Sequence, residues 1–252
     1  LSAETGKRKE ESMASISIIT ATYNSSHVIA GLIESLRSQS DQDFQWVVVD
    51  GASGDDTVAL VRASGLTDTL VISEPDFGIY DALNKGVRAA RGDYYLVLGA
   101  DDTLEADAIA LYRKAVREEQ TPPDMVTASI RSGDVLVTAL PGKGWLYGLK
   151  GYVSQHSVGV LIRRSLHEAH GLYCRDLPIA ADQLFVTRAA TSGARIKRCD
   201  FVAGNYGDAG KSSTDIIGSL TEGFRVQLRT GKSKFLQVLI FILRLLKHYR
   251  HL

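Results

Sequence analysis

Apolar residues in the first hundred positions alternate between two rhythms. Ile16 to Ala21 (ISIITA) is a short β-branched run that suits a strand buried on both faces of a parallel sheet. Val28, Leu32, Ile33 and Leu36 follow at helical spacing, with Asn24 and Ser25 expected to cap that helix. Gln45 to Asp50 (QWVVVD) predicts a second buried strand. Gly51, Ser53, Gly54 and Asp55 then form a loop into a helix over Asp56 to Ala63. A third strand is predicted over Thr69 to Ser73, a helix over Ile79 to Ala90, and a fourth strand over Tyr94 to Leu98. Strands that alternate with helices predict a mainly parallel α/β sheet, with ligands at the carboxyl ends of its strands.

The second half is less regular. A helix is predicted beyond Thr103, through Leu111 to about Glu118, and Pro122-Pro123 ends it. Short strands are expected over Asp124 to Ile130 and Val135 to Leu140, a loop over Lys143 to Gly151 and a strand over Ser157 to Arg163. A short helix over Arg164 to Ala169 and a longer one over Ala181 to Ser192 complete this part, and no internal repeat is visible. Near the end, Phe235 to Leu246 (FLQVLIFILRLL) is apolar almost all round but too short to span a bilayer. Lys232, Lys234, Arg244, Lys247 and Arg250 flank or punctuate it. This pattern fits an interfacial helix over 232–252 against an anionic membrane, and fits equally a terminal helix docked on the core or on a second copy in a homodimer.

Composition narrows the function classes. Among 252 residues, 29 Lys plus Arg balance 29 Asp plus Glu, so no net field points to nucleic acid and any electrostatic role is local. Cys174 and Cys199 make no disulfide framework and lack zinc-ligand spacing, which fits a cytoplasmic chain. Residues 1–14 are read as a disordered leader, with Met13 the expected natural start. The leader has no apolar core of the kind that directs export, so the expected location is cytoplasmic, peripheral on the inner face of the cell membrane.

The chemistry lies in the acids at strand ends. Asp101 and Asp102 follow the fourth strand, and burying two adjacent carboxylates is costly unless a cation or a hydrogen-bonding ligand compensates. A divalent ion, Mn2+ or Mg2+, held by one carboxylate and completed by diphosphate oxygens, is a natural solution. Alone, such a pair is more often a turn or a cap. Asp50 at the end of a neighbouring strand strengthens the metal reading.

Three stretches carry a family resemblance: SIITATYN, VVVDGASGDDT and SEPDFGIYDALNKGVRAARGDYYLVLGADD. Their order, spacing and identity resemble the inverting glycosyltransferases of family two, which have the GT-A fold. The run Glu74 to Gly86 is similar to the signature of a bacterial surface-polysaccharide branch that includes colanic acid transferases. The likeness continues through Gln155-His156-Ser157, Ala181-Asp182 and Gly210-Lys211-Ser212-Ser213-Thr214. It implies a GT-A domain over 15–215, with a nucleotide-binding half over 15–121, an acceptor half over 122–215 and C-terminal helices over 216–252.

The resemblance also implies roles. Thr22 and Tyr23 line the nucleoside pocket, and Asp50 hydrogen-bonds the base. Asp76, Asp81, Asn84 and Lys85 border the nucleotide-sugar donor, although Asn84 and Lys85 also suit a polar helix surface. Asp101 contacts the ribose or the metal, Asp102 is the direct metal ligand of a DxD-type motif, and Ala100 lies beside the donor. Asp182 is the general base that deprotonates a hydroxyl of a glycan or lipid-linked acceptor; its alternative is a helix cap. His156 reaches the metal or the acceptor, and Lys211, Ser212 and Ser213 belong to a lid over 207–214.

Three positions depart from the family pattern. Gly99-Ala100 replaces a frequent Asn-Ser, Asp208-Ala209-Gly210 departs from a Gly-Gly start, and Gln183 stands where an aromatic usually follows the base. Two alternatives remain open at this point. One is a sugar-phosphate nucleotidyltransferase, although Thr22-Tyr23-Asn24-Ser25 replaces the glycine-rich loop of those enzymes. The other is a catalytically silent sugar-binding module.

Overall fold

A computed structural model describes residues 14–140, 142, 144–207, 215–231 and 233–248. The leader through residue 13 and the 208–214 part of the expected lid lie outside the described residues. The first half runs β1 (Ile16–Thr22), α1 (Ile29–Arg37), β2 (Phe44–Asp50), α2 (Thr57–Arg62), β3 (Thr69–Ser73), α3 (Ile79–Ala89) and β4 (Tyr94–Val97). It continues through β5 (Thr103–Leu104), α4 (Ala108–Arg117), β6 (Met125–Ser132), β7 (Val135–Val137) and α5 (Gly144–Tyr147). After two 3-10 turns, Gly148–Gly151 and Ser157–Gly159, come β8 (Val160–Arg163), α6 (Leu166–His170), α7 (Ala181–Thr191) and β9 (Ile196–Asn205). Two helices close the chain, here α8 (Ile216–Thr230) and α9 (Lys234–His248).

The strands form one sheet in the order β3-β2-β1-β4-β8-β6-β9-β5, with β7 paired to β6. The fold is α/β of the GT-A kind, as expected. The sheet is parallel from β3 to β4, then mixed: β8 runs antiparallel to both β4 and β6, while β9 runs parallel to β6. Helices cover both faces, which is why β1 and β2 are mostly apolar and almost fully buried. Alternation along the strands sends Ile18, Trp46 and Val48 to a core with α1 and α4, and Ile19, Val47 and Val49 to a core with α3 and α7.

Register determines which side chains meet at the strand ends. β1 and β2 pair from Ile16 with Phe44 to Thr22 with Asp50, and β2 and β3 pair through Asp50 with Ser73. The polar ends of three strands therefore converge on Asp50. On the neighbouring face Gly86 lets α3 approach β1; a Cβ there would come 2.4 Å from Ile19 Cγ2.

Several expectations change. Asn24 and Ser25 do not cap α1, whose N-cap is Val28 with no side-chain bond; Asn24 instead accepts from Gly54 N at 2.9 Å and ties the two loops together. The expected loop over Lys143 to Gly151 contains α5 and a 3-10 turn, because Gly144 packs directly against the Tyr152 ring. Ser157–Gly159 is 3-10 rather than strand, and Thr103–Leu104 is a short strand that pairs with β9 before α4 begins. Strand β9 itself was not expected. Its sequence, IKRCDFVAGN, mixes charge with apolar residues and leaves much of the strand half-exposed, so periodicity gives little signal.

The C-terminal pair docks on the body. Phe224 of α8 stacks on Phe241 of α9 at 4.3 Å, Gln237 Nε2 donates to Trp145 O at 2.9 Å, and Arg244 Nη2 donates to Leu146 O at 2.6 Å. The opposite side of α9 exposes Phe235, Val238, Leu239, Ile242, Leu243 and Leu246. Among the described residues no helix is long and apolar enough to cross a membrane. Because the α3–β1 contact tolerates no added bulk, Gly86→Val is expected to destabilise the protein by about 1–3 kcal/mol in urea unfolding. An unchanged midpoint would show that the helix can shift at no cost.

Candidate active site

Asp50 is 0% exposed, and its carboxylate is fully engaged by the residues that register brings to it. Thr22 Oγ1 donates to Oδ1 at 3.0 Å, Ser73 Oγ to Oδ2 at 2.8 Å and Ser53 N to Oδ2 at 2.9 Å; the Ser53 hydroxyl also donates to Oδ1. Burial alone would raise the pKa of Asp50, but the bonds from Ser53, Ser73 and Thr22 outweigh it and hold the group below the usual range. Four donors occupy the four lone-pair directions of a carboxylate. In this arrangement Asp50 organises the loop, and a nucleobase would have to replace one of these donors. Tyr23 and Asp76 flank Gly51 at the same end: a Cβ on Gly51 would lie 2.8 Å from Asp76 Oδ2 and 3.4 Å from Tyr23 Cδ2.

The acidic pair follows β4. Asp102 is 1% exposed; its Oδ2 accepts from Gly99 N at 2.6 Å and its Oδ1 from Gly207 N at 2.9 Å, so it joins the β4 loop to the end of β9. Burial lifts its pKa to about 7 against those two donors, and Asp101 adds to the rise. Asp101 is only half-buried and lies against Gly207, where a Cβ would come 2.3 Å from its Cγ. Position 207 therefore has to be glycine for the backbone to reach Asp102. Ala100 belongs to the core beside α1 and α4, so its side chain lends no polar group to the cleft.

His156 connects this pair to the expected base. Its Nδ1 lies 4.0 Å from Asp102 Oδ2, and its ring contacts that of Tyr206 with centroids 3.9 Å apart. Burial lowers its pKa to about 4, while Asp182 and Asp101 pull it upward. His156 is thus neutral near pH 7 and lies within electrostatic reach of both acids. Asp182 opens α7 as a first-turn residue rather than the cap, which is Ala180. Its Oδ1 accepts from Tyr80 Oη at 2.7 Å and from Gln183 N at 2.8 Å. Burial raises its pKa, opposed by the Tyr80 bond, the Gln183 N–H and His156. A partly buried carboxylate with an elevated pKa has the character of a general base.

The α3 residues behave differently from one another. Asn84 is buried, and both ends of its amide hold the Tyr173 backbone, donating to O at 2.8 Å and accepting from N at 2.9 Å. It therefore joins α3 to the segment before α7 instead of forming part of a polar surface. Lys85 pairs with Glu74 at 2.8 Å and Asp81 at 3.6 Å, and Asp81 also pairs with Arg175. The roles of Tyr80, Arg175 and Ser73 escaped the sequence reading, which had Ser53 only as a loop residue and Gly207 only as the start of the lid. Tyr80 lies inside the GIYDALNKG run, but its hydroxyl acts 102 residues away and local spacing cannot show that.

Among the described residues no group of three or more His, Cys, Asp or Glu makes a ready metal cage. What is present is one deeply buried carboxylate of elevated pKa beside a second acid. Each Asp102 oxygen keeps a lone pair beyond its backbone bond. That donor set fits an ion whose remaining ligands come from substrate phosphate.

Comparison with known proteins identifies the arrangement. The pattern described as Glycosyl transferase family 2 matches residues 17–143. A PGL/p-HBAD biosynthesis glycosyltransferase of Mycobacterium bovis is 32% identical over 210 residues, covering 80% of each chain. The chain belongs to glycosyl transferase family 2. This glycosyltransferase is also 35% identical over 100 residues, 38% of its length and 33% of the relative's, to the amylovoran biosynthesis glycosyltransferase AmsB of Erwinia amylovora. In fold it resembles S. aureus TarS in complex with UDP-GlcNAc, with TM-score 0.67, 19% identity and coverage of 94% of this chain and 73% of that one. It also resembles the mannosyltransferase PcManGT of Pyrobaculum calidifontis in complex with GDP-Man and Mn2+, with TM-score 0.65, 22% identity and coverage of 86% and 65%. Family membership removes the nucleotidyltransferase alternative.

The Asp50 network predicts a pH-dependent defect. Its folded pKa lies below the ordinary 3.8, so the group stabilises the fold above that pH and the contribution is lost as pH falls through the folded value. Asp50→Asn is expected to cost about 2 kcal/mol or more at pH 7 in urea unfolding. The difference from wild type should shrink below pH 4; a gap that persists there would assign the cost to shape rather than charge.

Proposed function

We propose that this glycosyltransferase moves a sugar, with inversion, from a nucleoside-diphosphate donor to a hydroxyl of a glycan or lipid-linked acceptor in building a bacterial surface glycan. One observation carries the reading: His156 lies 4.0 Å from Asp102 and also feels the charge of Asp182, so the acidic pair and the candidate base are within electrostatic reach of one side chain. The relatives named for PGL/p-HBAD and amylovoran biosynthesis, and neighbours bound to UDP-GlcNAc or GDP-Man, support the donor and product classes.

In this mechanism Thr22, Tyr23, Asp50 and Asp76 border the nucleoside at the ends of β1 and β2. Asp81 and Lys85, with Asn84 bracing the helix behind them, border the donor. Asp102, beside Asp101, would hold a divalent ion, Mn2+ or Mg2+, which when bound would supply positive charge for the departing diphosphate. Asp182 Oδ1 takes both hydrogen bonds found for that carboxylate, leaving Oδ2 for the acceptor hydroxyl. As the acceptor oxygen bonds to the anomeric carbon, its proton passes to Asp182. The bond to the diphosphate oxygen breaks on the opposite face and its electron pair leaves with the nucleotide. His156, neutral near pH 7, lies 4.0 Å from Asp102 and adds no charge there.

A panel of UDP-glucose, UDP-GlcNAc, GDP-mannose and dTDP-rhamnose, with octyl glycosides as acceptors and with or without Mn2+, tests this reading. Asp182→Asn is expected to keep donor affinity within about twofold while transfer falls about 10²–10⁴-fold. Asp102→Ala should abolish metal-dependent turnover. Failure to bind any nucleotide sugar, or parallel loss of binding and transfer in Asp182→Asn, would reject these assignments.

The exposed stripe on α9 carries the proposal that the enzyme works at an anionic membrane surface. Phe235, Val238, Leu239, Ile242, Leu243 and Leu246 recur at the spacing of one helical face, and exposed Lys234 and Lys247 stand near its two ends. Half-exposed Trp145 and Tyr147 belong to α5, which α9 touches, and both residue types favour the lipid–water boundary. The double variant Leu239→Glu, Leu243→Glu is expected to lose co-sedimentation with phosphatidylglycerol vesicles and retain nucleotide-sugar binding. No sedimentation of the wild type would leave the stripe to a second copy of the chain.

A further inference from the structure

The segment before Asp182 is held from two sides by side chains outside it. Helix α7 begins without a side-chain cap of its own, so backbone N–H groups at its start need partners from elsewhere. Glu222 of α8 supplies one: its Oε2 accepts from Ile179 N and from Ala180 N, each at 2.9 Å, and the residue is buried. A carboxylate at this end also interacts favourably with the helix dipole. From the other side, Tyr80 Oη of α3 lies 2.8 Å from Ile179 O and 2.7 Å from Asp182 Oδ1.

The same face of α8 grips the residues just upstream. Arg229 and Arg225 both pair with Asp176, and Arg225 Nη1 also donates to Asp176 O at 3.2 Å. Val226, between them, is buried in the core that contains Leu177, Ala180 and Ala181. Positions 222, 225, 226 and 229 fall on one helical face. Helix α8 lies beyond the 17–143 region that marks the family, yet it fixes the approach to the base.

We propose that Glu222 and Tyr80 are positioning residues for the base, clamping the 179–182 segment between the C-terminal helix α8 and the donor-side helix α3 so that Asp182 meets the acceptor. This rests on the reading of Asp182 as the base. Tyr80 has a second effect. One hydroxyl proton cannot serve both Ile179 O and Asp182 at once, and ionised Asp182 is the stronger acceptor. The Tyr80 bond therefore favours the charged, proton-accepting form. The other titratable groups facing Asp182 are His156, Tyr173 and Tyr95; neutral His156 and the two phenols, which burial pushes well above their ordinary range, do not change charge near neutrality.

The test compares wild type, Tyr80→Phe, Glu222→Gln, Glu222→Ala and Asp182→Asn in the full chain. The readouts are binding of UDP and GDP by calorimetry and kcat against pH for transfer or, with water as acceptor, hydrolysis of the best donor in the panel. Nucleotide affinity is expected to stay within twofold for every variant. Tyr80→Phe should lower kcat about tenfold and move the acidic limb of the profile upward by about half a unit or more, because the base loses a donor that favours its charged form. Glu222→Ala should lower kcat about tenfold, and Glu222→Gln should restore most of it, since the amide oxygen can accept from the same N–H groups. The clamp is overturned if Tyr80→Phe leaves both kcat and the acidic limb unchanged, or if Glu222→Gln is as impaired as Glu222→Ala. Should Glu222→Ala fail to fold, Glu222→Gln and Tyr80→Phe still decide the matter. Full transfer by Asp182→Asn would instead sink the base assignment; its collapse alongside unaffected Tyr80→Phe and Glu222→Gln would sink the clamp alone, provided Glu222→Ala is equally unaffected.

Discussion

The carboxylate of Asp102 joins two segments that lie far apart in the chain. Its oxygens accept from Gly99 N, after β4, and from Gly207 N, after β9, so one buried side chain ties the loop after β4 to the end of β9. The cost is electrostatic. Burial beside Asp101 lifts the pKa of Asp102 to about 7 against the two backbone donors. The same carboxylate is the one proposed to hold the metal.

Asp50 shows the opposite solution to the same problem. It is equally buried, yet in-register pairing of β1, β2 and β3 surrounds it with Thr22, Ser53 and Ser73 and lowers its pKa. The acids at the end of β2 and after β4 thus differ because hydroxyl donors offset burial at Asp50, whereas at Asp102 burial outweighs two backbone donors and Asp101 adds to the rise. Asp182, third in the set, is intermediate: burial raises it, and Tyr80, Gln183 and His156 partly compensate. Asp50 is rich in hydrogen bonds, while Asp182, the proposed base, depends on few contacts.

The C-terminal helices serve both ends of this system. Helix α8 packs on α7 and reaches the segment before the base through Glu222, whereas α9 rests on α8 through the stacked Phe224 and Phe241 and turns an apolar stripe outward. The exposed apolar stripe therefore lies one helix away from Asp182, the residue proposed as the base.

The β1-to-β4 half was legible in the chain because both of its signals are local: β-branched runs mark strands buried on two faces, and strand ends carry Asp50, Asp101 and Asp102. Helices α3 and α7 were visible for the same reason. The sequence also supplied the three stretches that mark the family, so the α/β class and the candidate acids needed no coordinates. Tertiary structure alone decided the partners. Pairing of β8 between β4 and β6, and of β9 beside β6, brings residues a hundred positions apart to one cleft, as in the bond from Tyr80 to Asp182. Strand β9, half-exposed and interrupted by charge, left no periodic trace, and with it the reach of Gly207 to Asp102 was hidden. Side-chain type and spacing report which face a residue buries; whether a buried acid finds a hydroxyl, a backbone N–H or another acid depends on strands that meet only when the sheet is complete.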